Sequence, residues 1–129
     1  MIAFIVPQLP QGKQSPRIVK AGPKKPAALL PKSMELLRDD GYLVAVTEHW
    51  NGFAHIKQDL WGFCDLLAVR RGEVLAVQVT SASNHASRRT KIAENPVVGR
   101  VREAGIRIEI HSWDKSPSGK WRVRREDLS

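Results

Sequence analysis

A chain of 129 residues, 42% hydrophobic and 26% charged, has the make-up of one ordinary soluble globular domain and is too short for two full ones. Its one cysteine, Cys64, excludes an intrachain disulfide framework and a cysteine-based zinc cluster. The formal net charge of +8 points to an anionic partner, nucleic acid ahead of an acidic membrane surface.

No apolar run approaches the length of a membrane span, and Met1–Val6 is too short for a signal-peptide core, so a cytoplasmic protein with no membrane partner is expected. Residues 1–28 read as an extended basic arm. Pro7, Pro10, Pro16, Pro23 and Pro26 interrupt any helix, and Lys13, Arg17, Lys20, Lys24 and Lys25 offer phosphate contacts. Met1–Val6 reads either as a tail or as a strand added to the sheet edge of this chain or of a second copy, which leaves a homodimer open. The folded domain is expected over residues 29–129.

Leu29–Asp40 is the first predicted helix, with Leu30, Met34 and Leu37 as its apolar stripe and Gly41 as its stop. Tyr42–His49 reads as the first strand, with Glu48 near its end as a ligand or an exposed charge. Trp50–Gly62 reads as a loop. Its aromatics, with His55, Lys57 and Asp59, suit either base stacking or packing over the sheet edge, and packing is the expected role of the tryptophans.

Asp65–Thr80, DLLAVRRGEVLAVQVT, organises the rest. It reads as two strands joined at Arg71-Gly72, apolar enough to be covered on both faces. Folding this hairpin brings Asp65 beside Gln78. Their oxygens, with the Val79 carbonyl between, are the raw material of a divalent-metal site. A helix over Ser81–Glu94, capped by Ser83 or Asn84, follows at once. Its cations Arg88, Arg89 and Lys91 therefore start within reach of anything held at Asp65 and Gln78.

Pro96 opens a third helix, Val97–Ala104. Ile106–Trp113 and Lys120–Arg125 read as a hairpin around the turn Lys115–Gly119, with Trp121 and Val123 on one side. Lys120, Arg122, Arg124 and Arg125 are expected opposite, as a second phosphate surface. The four histidines show no zinc spacing, and there is no glycine-rich phosphate loop or nucleophile elbow.

The acid in GFCDLLAV and the QVT of VLAVQVT, set on this order of elements, resemble the PD-(D/E)XK nuclease superfamily, nearest its small archaeal and phage Holliday-junction-resolvase-like members. The likeness spans about Leu29 to Ser112. Asp65 matches the family's motif acid. Gln78 stands where the family has Glu or Asp, and Thr80 where it has Lys. The resemblance implies a single α/β domain, a mixed central sheet flanked by helices. It also implies a Mg²⁺- or Mn²⁺-dependent DNA endonuclease, possibly acting on branched DNA. Asp65 would be the charged ligand, Gln78 and the Val79 carbonyl neutral ones, and Glu48 a further acid. Lys91, Arg88 or Lys57 would replace the missing lysine, and Arg89, Lys120 and Arg122 would join in holding DNA. The alternatives are a catalytically silent nucleic-acid-binding module of the same fold, or an assembly protein pairing through its arm.

Overall fold

The computed structural model describes residues 29–129; the predicted arm, and with it the Met1–Val6 strand, lies outside the described residues. In chain order the elements are α1 (Leu29–Asp39), β1 (Leu43–Val46), β2 (His49–Asn51), β3 (Ile56–Gln58), β4 (Leu66–Arg70) and β5 (Glu73–Ser81). Then come α2 (His85–Ala93), α3 (Val98–Glu103), β6 (Arg107–Lys115) and β7 (Trp121–Asp127). The main sheet runs β1-β4-β5-β6-β7, antiparallel throughout except for the parallel pair β5–β6, and β2–β3 form a separate ribbon. This is a single mixed α/β domain with helices on both faces of its sheet. No helix among the described residues is long and apolar enough to cross a membrane.

β4 and β5 close over the predicted two-residue turn, Arg70 opposite Glu73, with Gly72 at φ 73°, a left-handed value that suits glycine. Both faces of the hairpin are covered, as its apolar runs require. On one side Leu66, Ala68, Leu75 and Val77 pack with Leu37 and Tyr42 beneath α1. On the other, Ala76, Ile108 and Ile110 pack with Phe63 and Cys64 and with Ile92, Val98 and Val101 of α2 and α3. Each fully buried leucine or isoleucine contributes about 1.5–3 kcal/mol.

α1 ends as predicted at Gly41. The Tyr42 N–H donates to the Leu37 carbonyl at 3.0 Å and the Gly41 N–H to Arg38 at 2.9 Å, a paired cap sealed by the Tyr42–Leu37 contact. The buried stripe differs from the expected one, because Leu29, Ser33 and Leu37 face inward. Ser33 sits there because its hydroxyl accepts from Trp113 Nε1 at 2.8 Å and bonds His111 Nδ1 at 3.0 Å.

Several other expectations need correction. The run Tyr42–His49 does not form one strand. β1 ends at Val46, although the Thr47 N–H still adds a rung to the ladder at the Asp65 carbonyl (2.9 Å) and its hydroxyl donates to the Cys64 carbonyl (2.8 Å). The expected loop contains the β2–β3 ribbon, and its Trp50 is 60% exposed rather than packed on the sheet edge. Asn84 stands at the N-cap of α2, as one of the two expected residues, but its side chain makes no capping bond, and the helix begins through a 3-10 turn over Ala82–Asn84. Finally, Arg125 shares the face of Trp121 and Val123, since side chains alternate along β7. It reaches Asp40 at 2.8 Å and Glu109 at 3.3 Å, on the α1 side.

Candidate functional site

The open end of the β4–β5 hairpin borders a cavity of about 310 Å³ lined by Leu30, Glu48, Lys57, Asp59, Asp65, Gln78, Val79 and Arg88. Its geometry follows from the hairpin register. Leu66 pairs with Val77, and the Asp65 N–H donates to the Val77 carbonyl at 2.8 Å, so Asp65 lies opposite Gln78. One carboxylate oxygen of Asp65, Oδ2, accepts from Gln78 Nε2 at 2.7 Å and from the Val79 N–H at 2.9 Å. That fixes the amide's orientation and leaves Gln78 Oε1 buried with no hydrogen-bond partner. An unmatched buried amide oxygen is costly, and it is the atom the sequence assigned to a metal.

Two further carboxylates arrive from the chain between β1 and β4. Glu48 follows Thr47 beyond the end of β1, and Asp59 follows β3. Oxygens of Glu48, Asp59 and Asp65 all lie within 4.8 Å of one another. Lys57 stands 4.0 Å from Glu48, and Arg88 enters from α2 with its Nε buried and unpartnered. Burial, and then the neighbouring Asp59, push the Asp65 carboxyl up to about 8, against the pull of the Val79 N–H. Three carboxyl groups thus share the pocket with two cations, Lys57 and Arg88.

The donor set fits a hard divalent cation: carboxylate oxygens and one free amide oxygen, with no histidine or cysteine. Glu48, Asp59, Asp65 and Gln78 are the residues that could hold Mg²⁺ or Mn²⁺.

Of the residues singled out in the sequence, Asp65, Gln78, Val79, Glu48, Lys57 and Arg88 come together here. Val79 has its N–H committed to Asp65. Lys91 lines a neighbouring cavity of about 500 Å³ with His49, Lys57, Gln58, Asp59, Leu60, Trp61 and Gly62. Thr80 is buried and lines neither cavity. Arg89 pairs with Glu126 at 3.1 Å, Arg122 pairs with Asp114 at 2.8 Å, and Lys120 is exposed beside the β6–β7 turn.

Asp59 was missed as a site residue. The signal was available: it is the only acid between Glu48 and Asp65, two residues beyond Lys57. Also missed were two buried Ser–His–Glu chains. His85 bridges Ser112 (2.7 Å) and Glu126 (2.6 Å), while His111 bridges Ser33 and Glu109 (3.0 Å each). These chains tie α2 and α1 to the sheet; Ser33 is buried, whereas Ser112 and His85 border a separate cavity of about 240 Å³ with Asp114 and Arg122. The chain matches no protein-family model and no curated protein.

Proposed function

We propose that the protein is a metal-dependent DNA endonuclease of the PD-(D/E)XK kind, hydrolysing phosphodiester bonds at the Asp65 cavity. The observation that carries this reading is the convergence of Glu48, Asp59 and Asp65 within 4.8 Å beside the free Gln78 oxygen. Mg²⁺ or Mn²⁺ held there would supply a Lewis acid and an acidified water. The chain's own groups do the rest. Gln78 Nε2 and the Val79 N–H hold the Asp65 carboxylate in place. Arg88 and Lys57 offer their cations to the phosphate oxygens, in the place where the family uses its lysine. Asp65 keeps its proton until a cation displaces it. On a duplex, two copies would divide the strands between them, and sedimentation with DNA measures that.

The test is a cleavage assay at pH 8 on linear, flapped and four-way DNA with Mg²⁺, Mn²⁺ or chelator. Cutting that needs the metal is the expected result. A protein inert on every substrate with Mn²⁺ overturns the reading in favour of a silent DNA-binding module. A specific observation favours that second reading: Asp65 Oδ2 already accepts two internal hydrogen bonds, and Thr80 is buried away from the cavity.

A further inference from the structure

We propose that the β2–β3 hairpin is a base-stacking finger, which holds unpaired bases of the strand whose backbone enters the Asp65 cavity; this rests on the nucleic-acid reading above. Trp50, Phe53 and Ile56 are 60%, 100% and 50% exposed. Ile56 pairs with Asn51 on the other face of the ribbon, so Trp50 and the tip residue Phe53 are the exposed aromatics offered for stacking.

The finger is built to stay extended. Asn51 Oδ1 accepts from the Phe53 and Ala54 N–H groups, both at 3.0 Å, and its Nδ2 donates to Gln58 Oε1 at 3.1 Å. His55 holds φ 58°, a left-handed value that costs an L-residue energy, and meets Trp50 edge-on with ring centroids 6.3 Å apart. Phe53 is thus presented at a fixed tip and does not collapse onto the body.

Charge selects the partner. From His49 to Gln58 there is no acid, while Lys57 and two histidines are present. Trp50 pairs with Lys57 across the ladder, so an aromatic and a cation share one face. A base and its phosphate need that combination. A second copy of a chain carrying +8 would instead bring like charge to the patch. The finger also leads into the site: Lys57 and Asp59 line both cavities, and Trp61 and Lys91 line the larger. At about 3.3 Å rise per residue, Asp59 lies about 7 Å along the chain from Lys57, the cross-strand partner of Trp50, a span of about two stacked bases.

The test uses metal-free protein, so binding is read without cutting, and a single strand of about twelve nucleotides, matched to the usual site sizes. It is compared with an abasic strand of equal length and charge. Wild type is expected to favour the base-bearing strand. Trp50→Ala with Phe53→Ala should weaken that strand about tenfold or more and leave the abasic affinity unchanged. Phe53→Ala alone, at a fully exposed position, gives a smaller loss in the same direction without risk to folding. Equal loss on both strands, or no loss on the base-bearing one, overturns the finger while DNA binding and the site reading stand. A change from dimer to monomer with no base dependence overturns it as a self-contact. No binding to either strand removes the finger together with the nucleic-acid reading.

Discussion

At the turn end of the β4–β5 hairpin, Glu73 accepts hydrogen bonds from Tyr42, Arg70 and Arg107, which pull its carboxyl down to about 2. At the open end, Asp65 sits among other carboxylates and is pushed up to about 8, first by burial and then by Asp59. Both carboxylates belong to the same hairpin. The difference lies in what the fold sends to meet each of them. The turn end receives cations, and Arg107 continues on to Asp127 at 3.2 Å. The open end receives two more acids, and keeps a buried amide oxygen and a buried guanidinium nitrogen unmatched. Interactions that serve stability lower a carboxylate's pKa. A cluster that raises it costs the folded state stability at neutral pH.

The contrast can be broken most forcefully at its acidic end. Asp65→Asn should lower metal-dependent cleavage by about three orders of magnitude, because the site loses a charged ligand. In metal-free buffer near pH 7 DNA affinity should hold in the same variant, because Asp65 there already carries its proton. Gel-based cutting and anisotropy titration on the same protein read the two effects separately.

Arg88→Ala with Lys91→Ala should flatten the slope of log affinity against log salt by about two units. Arg122→Ala should change it less, because that guanidinium is already held by Asp114 at 2.8 Å. Titrations at several salt concentrations separate cations free to meet DNA from those the fold has neutralised.

Without DNA, Mn²⁺ should raise the melting temperature by several degrees, on the order of 1 kcal/mol or more at saturating metal. The gain should be larger at pH 8 than at pH 6, since below about 8 a proton on Asp65 competes with the cation. Gln78→Glu should strengthen the gain and Asp65→Asn should remove it.

The most direct contrast of the two ends lies in their pH dependence. Asp65 titrates near 3.8 when unfolded and near 8 when folded, so it destabilises the fold progressively as pH rises between those values. Asp65→Asn should flatten that decline. Glu73 is depressed from 4.5 to about 2, so its contribution is full above 4.5 and is lost as pH falls towards 2. Glu73→Gln should flatten only the acid side. Melting curves across pH check both signs.

The parts of the fold that depend on local chemistry were legible in the sequence. The Arg71-Gly72 turn, the Gly41 stop and the two-faced burial of β5 each follow from residue type and spacing. Asp65 meeting Gln78 follows from the hairpin's length alone. What escaped depends on distant residues. His55 in a left-handed turn is not what a sequence pattern announces, so the β2–β3 ribbon read as a loop. Asp59 reaches the site only because that ribbon returns it there. Arg89 looked like a free cation until Glu126 of β7 came alongside. Ser33 looked like a gap in an apolar stripe until Trp113 and His111 came to meet it.

The shortness of β1 has a consequence for how the molecule behaves in company. Among the described residues it is one edge of the sheet, four residues of LVAV with Leu43 75% and Val46 46% exposed. The opposite edge, β7, is studded with arginines that repel an incoming strand. β1 has no such guard, and only its brevity limits the ladder a neighbouring molecule could build on it. At its far end Thr47 bonds the Cys64 and Asp65 carbonyls, and the next residue, Glu48, lines the cavity. A strand added to this edge would therefore run up to the residue that brings an acid to the site.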